Sequence, residues 1–378
     1  MSHSFSVMLP AVKTTFDINP LQIGAIITAK ELAAGLVALP GGILSDYLRR
    51  YRMLMMAFCM IIFGFGWLII GMTPLYGFLL VGMVIIAVAS SIWHLPSVAE
   101  LGLLFSHNRG AALAVHGAGG SVGDIFGPVI TGLLLGLISW RGIISMYAAV
   151  PLVMSLWAAW IFFRHRPQKT AAVKPAAGAE IDLRTQLKIT RDILKTTHIW
   201  RVNLVAGFRG MCFTVLVTFL PLFMKEDLGL SAKSIGFHFG LLWTVGIIAS
   251  PVMGHLSDRW GRKLVLVPAL FYSSLLLVLL ALWGKGIYFT LIIILLGFSI
   301  RSDYSLVNAT ILDIAGNQVA TTMLGILSIT RFVLGAAAPL IAGAIYQYAG
   351  MQATLFFVAA LFAGSALVFS SIDLKKTA

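Results

Sequence analysis

The chain has 378 residues, of which 59% are hydrophobic and only 11% charged, and its mean hydropathy is +0.95. Soluble domains carry about 25% charged residues, so a soluble enzyme, a disordered chain and a nucleic-acid-binding domain are all excluded. The net charge of +13 does not bring nucleic acid back as a partner, because the basic residues sit in short loops between apolar runs and not on one face of a domain.

Taken in chain order, apolar runs fall at 21–44, 53–71, 76–97, 111–138, 142–163, 199–223, 234–254, 264–283, 287–308, 321–346 and 352–371. Each approaches or exceeds the roughly 20 residues that a membrane-crossing helix needs. The runs are continuous, without the two-residue alternation of a β-barrel strand. The fold class is therefore an all-α polytopic membrane protein with eleven predicted spans. Pro128 and Pro339 fall inside spans, where neighbouring helices re-satisfy freed carbonyls and kinks are tolerated. Cys59 and Cys212 lie in apolar runs. They read as buried packing residues, not as a disulfide or a metal site. No secretory signal is visible: nothing basic precedes the first apolar stretch and no small-residue cleavage site follows it.

Orientation follows from Lys and Arg. One set of loops holds Arg49, Arg50, Arg52, Arg109, Arg164, Arg166, Lys169, Lys174, Arg184, Lys188, Arg191, Lys195, Arg259, Arg262 and Lys263, with Arg201 at a span entrance and Lys375 and Lys376 in the tail. The opposite side holds only Lys13, Arg141, Lys225, Lys233 and Lys285. The first set is expected to be cytoplasmic. Segment 164–198 is the one long loop: basic at first, then rich in Ala and Pro, then amphipathic around Leu183–Leu194. It reads as a cytoplasmic linker, with a helix on the lipid surface, between an N-terminal unit at 1–163 and a C-terminal unit at 199–378.

The two halves repeat. Gly42 to Asp46 matches Gly254 to Asp258 at an offset of 212, and Gly127 to Gly132 matches Ala338 to Gly343 at an offset of 211. Parallel repeats imply a transporter with its substrate site between the halves. The sequence resembles the major facilitator superfamily over essentially its whole length. Its loop signature, Gly-x-Leu-x-Asp-Arg-x-Gly-Arg-Lys, is complete at Gly254, Leu256, Asp258, Arg259, Gly261, Arg262 and Lys263. The first copy keeps Gly42, Leu44, Asp46 and Arg50 but has Arg49 in place of the second glycine. The resemblance implies two pseudo-symmetric six-helix bundles. It also implies that these charges latch one conformation, in part by contact with a helix end. Six spans are then expected before the linker, and five are counted. Residues 4–10 and 16–24 look like the outer end of the family's first helix and the turn into its second. The expectation is that the recorded chain starts at an internal methionine, with roughly 15–25 residues upstream, since a span needs about 20.

Ionisable groups at membrane depth are costly and are functional candidates. Asp124 lies in Gly123, Asp124, Ile125, Phe126, Gly127, Pro128, and with Gly132 this stretch resembles the family's antiporter signature, although Thr131 replaces one glycine and Ala114 another. In the family that signature goes with export, and its Gly-Pro pair bends the helix. Lys30 and Glu31 sit mid-span. As adjacent residues they point about 100° apart and need not pair with each other. Glu31 is a candidate for proton exchange and Lys30 for an anion contact. His94, followed by Glu100, belongs to a Ser-Ser-x-x-His-x-Pro run that resembles the fosmidomycin-resistance branch of drug exporters, and a His–Glu proton relay and a capped helix end are two equal readings of it. His116 and His238 are weaker candidates of the same kind. Arg209 is expected to face substrate, as is Arg331, since guanidinium suits carboxylate and phosphate. Arg301 and Asp303 are read as a salt bridge or gate. Trp93 and Trp243, with Tyr304, are candidates for an aromatic cavity wall.

No Gly-x-x-x-x-Gly-Lys phosphate loop and no His-Glu-x-x-His zinc pattern is present, so no cofactor, metal or ATP is implied and the chain reads as a non-enzyme. The favoured function is a secondary transporter in a bacterial plasma membrane. It would be monomeric, lipid-embedded, and export a small organic molecule against protons by alternating access. The alternative is proton-coupled uptake of an organic anion, for which Lys30, Arg209 and Arg331 speak. A transporter-like receptor or sensor is a remote third.

Overall fold

A capping box opens the second helix of the first half. Asn19 N–H donates to the Gln22 Oε1 at 2.8 Å, and Gln22 N–H donates to the Asn19 Oδ1 at 2.8 Å, so two orphan donors are satisfied at once. Pro20 takes the first helical position, where its missing N–H costs nothing. The computed structural model describes residues 2–48, 51–105, 108–164, 191–192, 194–315 and 320–372, and these are helical nearly throughout. The helices are α1 (Ser2–Phe16), α2 (Pro20–Tyr47), α3 (Arg52–Met72), α4 (Tyr76–Leu104), α5 (Arg109–Leu134), α6 (Trp140–Arg164), α7 (Thr197–Glu226), α8 (Ala232–Trp260), α9 (Arg262–Trp283), α10 (Gly286–Ile300), α11 (Ser302–Ala315) and α12 (Ala320–Ser370).

Among the described residues, nine helical stretches are long and apolar enough to cross a membrane, against eleven runs in the sequence. Two of the runs, 321–346 and 352–371, join into one helical stretch broken only at Gly350, whose φ of 81° a side chain would resist. Helix α5 is also not among the nine: glycines, His116 and Asp124 dilute its hydropathy. The run 287–308 spans α10 and α11, which are separated at Arg301. Prolines inside α2, α4, α5, α6, α7, α8, α9 and α12 are accommodated as expected for helices packed among helices.

Contacts divide the chain into two compact units. One is drawn from Met1–Ile18 and Ile26–Ala177, the other from Asn19–Ala25 and Gly178–Ala378. In the first, α3 packs on α4 and α6, and α1 on α5. In the second, α12 packs on α7 and α9, and α8 on α10. Large apolar side chains such as Leu36, Phe58, Trp157 and Ile248 point outward. That is the inverse of a soluble surface and suits lipid as the solvent. The linker's amphipathic piece, apart from 191–192 and 194, and the C-terminal lysines lie outside the described residues.

Candidate functional site

The most deeply buried charges lie in the second unit. Arg209 projects from the middle of α7 and Asp303 from the first turn of α11, and the two form an ion pair. Their side chains are 4% and 1% exposed. The Arg209 Nη2 also donates to the carbonyl of Ile300, the last residue of α10, at 2.8 Å. Asp303 suits the start of α11, where unpaired N–H groups favour negative charge. At the next residue, the Arg331 guanidinium of α12 stacks 4.1 Å from the centre of the Tyr304 ring. Its Nη2 donates to the Asn308 Oδ1 at 3.0 Å. The Arg209 and Arg331 Nε atoms are buried without a hydrogen-bond partner among the described residues. The fully buried Cys212 lies beside Arg209 and Asp303. The sequence leads one to expect Arg209 facing substrate and Asp303 grouped with Arg301; in the structure Asp303 is the partner of Arg209. Trp243 is buried among Phe213 and Phe239, with ring centres 5.6 and 6.4 Å away.

In the first unit the Lys30 Nζ and Glu31 Oε1 are 2.8 Å apart, each side chain about one-fifth exposed. Adjacent Cα–Cβ bonds diverge, but the lysine stem is long enough to swing back, so the two do pair. The Asp124 Oδ1 lies 3.4 Å from the His3 Nε2, joining α5 to α1. Gly127 permits that approach, since a Cβ there would stand 2.6 Å from the Ser4 Oγ. Pro128 is buried in α5 beside it, and Gly132 is buried one turn on. A Cβ at Gly123 would meet nothing within 4 Å, so nothing there requires glycine. Thr131, in place of a signature glycine, binds the Gly127 carbonyl at 2.7 Å and the Tyr147 hydroxyl at 3.0 Å. His94 is exposed and lies 6.0 Å from His116 between ring centres, and Trp93 is 6.3 Å from the same ring. The Trp93 indole N–H has no hydrogen-bond partner among the described residues. Glu100 does not join His94: its Oε1 takes the Arg52 Nη1 at 3.1 Å.

The complete loop signature builds a charged joint at α8–α9. Gly261 stands between the helices with φ 96° and ψ 149°. Arg259 lies exposed in the last turn of α8, where a cation suits the helix C-terminus. Arg262 pairs with Asp258 and donates to the Ser257 Oγ at 3.0 Å. Its Nε reaches the Asp313 Oδ2 of α11 at 2.9 Å, a partner absent from the signature. Gly254 has open space where a Cβ would stand. In the first copy, Gly42 falls in the last turns of α2, while Arg50 and the Asp46 side chain lie outside the described residues.

Two helical units, a charged joint at α8–α9 and a proline inside α5 form the framework against which known proteins can be set. Residues 1–339 and 204–376 match a family model described as Major Facilitator Superfamily. A hexuronate transporter of Bacillus subtilis (strain 168) is 21% identical over 98% of this chain and 88% of its own length. The multidrug resistance protein MdtG of Enterobacter lignolyticus (strain SCF1) is 25% identical over 72% of this chain, which spans 63% of that protein. Among solved structures, a bacterial homologue of the human lysosomal transporter Spinster superposes with a TM-score of 0.82 at 15% identity, covering 98% of this chain and 92% of that one. The nucleoside transporter NupG gives a TM-score of 0.79 at 14% identity, covering 97% and 94%. The two structural likenesses speak to fold alone.

Proposed function

The chain belongs to the major facilitator superfamily and is a membrane transporter, and from that premise we propose that it exports a small organic molecule in exchange for protons. The observation that carries this reading is Asp124. It sits on the glycine-rich α5, which contains Pro128, within ion-pair reach of His3 on α1. A titratable carboxylate on that helix suits a site where proton and substrate exclude one another. Similarity to a multidrug resistance protein over most of the chain supports the same direction. Glu31 is a second proton carrier, neutralised by Lys30 when ionised. Two bundles, 1–163 and 199–378, would rock about a central site, with the 164–198 linker and the C-terminus in the cytoplasm of a bacterial cell. The transporter would work as a monomer embedded in lipid.

A second reading is uptake of an organic anion with protons. It is favoured by similarity along nearly the whole chain to a transporter of hexuronates, which are sugar acids, and by Arg331, held on Tyr304 and Asn308. Purified protein in vesicles with an imposed pH gradient separates the two, with ethidium and radiolabelled glucuronate as probes. Export predicts ethidium moving against the proton flow. That movement should be lost in Glu31→Gln or Asp124→Asn protein that still elutes as a single folded species. Glucuronate moving with the protons would overturn export and establish the second reading.

A further inference from the structure

We propose that a cavity at one end of the second unit, walled by the ends of α7, α8 and α10, binds a small zwitterion of the α-amino acid type with an aliphatic side chain. Its ammonium meets Asp227 and Thr290, and its carboxylate meets Lys285. The site lies within one unit and stands independently of what the protein carries and in which direction.

The cavity has a volume of about 220 Å³. That is below the roughly 300–1,000 Å³ of pockets for drug-sized molecules, so its occupant is small. Tight turns fix the walls. Gly229, with φ 63°, turns the chain after α7 so that the Leu230 N–H reaches the Met224 carbonyl at 2.9 Å. Gly286, with φ 58°, begins α10. A site held this way needs little ordering when a ligand arrives.

Hydrogen bonding sets the chemistry of the ligand. His238, on the floor of the cavity, is 9% exposed. Its Nδ1 lies 2.8 Å from the Ser234 carbonyl oxygen, which can only accept, so Nδ1 carries a proton. In the neutral ring Nε2 then bears the lone pair, and the Thr290 hydroxyl, 2.9 Å away, donates to it. The Thr290 proton is thereby spent, and its oxygen offers the cavity only lone pairs. His238 is thus a positioning residue: it makes Thr290 an acceptor. Thr290 and the Asp227 carboxylate together suit a cationic N–H donor, while the Lys285 ammonium suits a carboxylate. Leu228, Leu230 and Phe289 give apolar surface for an aliphatic side chain.

Neither charge is placed to suit its own helix. Asp227 is the C-cap of α7 and Lys285 the N-cap of α10. Helix dipoles favour cations at C-termini and anions at N-termini, so each charge stands at the end that disfavours it. Both side chains are exposed. A zwitterion bound between them brings its ammonium to the end of α7 and its carboxylate to the start of α10, which complements both the side chains and the helix ends.

Calorimetric titration of the full chain in lipid nanodiscs, with empty nanodiscs as the blank, tests this. It compares leucine with two molecules that each keep half of its head group, 4-methylpentanoate and 3-methylbutylamine. Leucine is expected to bind about tenfold or more tightly than either, since each loses one charge-assisted contact. Asp227→Asn should weaken leucine and the amine by a similar factor and spare 4-methylpentanoate. Lys285→Gln should weaken leucine and 4-methylpentanoate and spare the amine. Thr290→Val, which keeps the side-chain shape and removes the oxygen, should follow Asp227→Asn. Absence of saturable leucine binding, leucine binding no tighter than the two half-ligands, or leucine binding equal in wild type and both charge variants overturns the proposal. The last result would place leucine elsewhere on the protein.

Discussion

Gly297 on α10 meets the backbone of Leu242 on α8: a Cβ at Gly297 would stand 2.7 Å from the Leu242 carbonyl oxygen and 3.0 Å from the Val245 Cβ. Gly246 answers from the other side, with space for a Cβ only 3.1 Å from the Gly297 carbonyl. Helices in lipid gain little from the hydrophobic effect when they associate, so close backbone approach at small residues is a main source of their affinity. A backbone carbonyl cannot rotate away as a side chain can. Gly297→Ala is expected to destabilise the protein by about 1–3 kcal/mol, read as a lower thermal midpoint in detergent. Gly254→Ala is the contrast: open space receives its methyl, so its midpoint should stay level or rise.

Gly261 provides a conformational constraint of a different kind. With φ 96° and ψ 149° it occupies backbone space that is almost closed to any other residue. Gly261→Ala should cost about 1–3 kcal/mol although nothing lies within 4 Å of the new Cβ. Thermal unfolding beside Gly254→Ala separates backbone strain from crowding, since both sites are spatially open.

The α8–α9 joint was legible in the sequence because its demands are local: a glycine for the turn, an acid and a base four residues apart at Asp258 and Arg262. The far side of that joint was not legible. Asp313 stands 51 residues beyond Arg262, and only packing brings α11 to it. The same holds for Glu100, which lies near His94 in sequence and which packing gives to Arg52, 48 residues away. The spans were readable from hydropathy, but not which face of a span looks inward. So Arg209 could be found as an intramembrane cation without its partner Asp303. Where two apolar runs meet at Gly350, hydropathy marks a gap while the backbone stays nearly continuous.

Arg262 and Asp313 should couple weakly and in a salt-dependent way. Their contact is 2.9 Å, but the Asp313 side chain is 46% exposed. Exposed pairs are typically worth about 0.2–1 kcal/mol. A double-mutant cycle of Arg262→Ala and Asp313→Ala is expected to return a coupling in that range at low salt. At about 1 M salt, where the screening length is only some 3 Å, the coupling should shrink toward zero. Coupling that survives high salt would show the pair to be shielded from solvent.

Arg52 and Glu100 should behave otherwise, because here the cation is buried. The Arg52 side chain is 4% exposed, its Nη1 meets the Glu100 Oε1 at 3.1 Å, and its Nε donates to the Ser45 carbonyl at 3.0 Å. It thereby ties the end of α2 and the start of α3 to α4. Glu100→Ala removes one charged acceptor from a buried guanidinium, for which about 1.5–3 kcal/mol is the expected cost of a hydrogen bond to a charged group. Glu100→Gln keeps an acceptor oxygen while losing the charge, and should fall between the wild type and Glu100→Ala. His94→Ala removes an exposed side chain that Glu100 does not contact, and should leave the thermal midpoint within the spread of repeat measurements. If His94→Ala matched Glu100→Ala instead, the pairing of Glu100 with Arg52 would not be what holds α4 here.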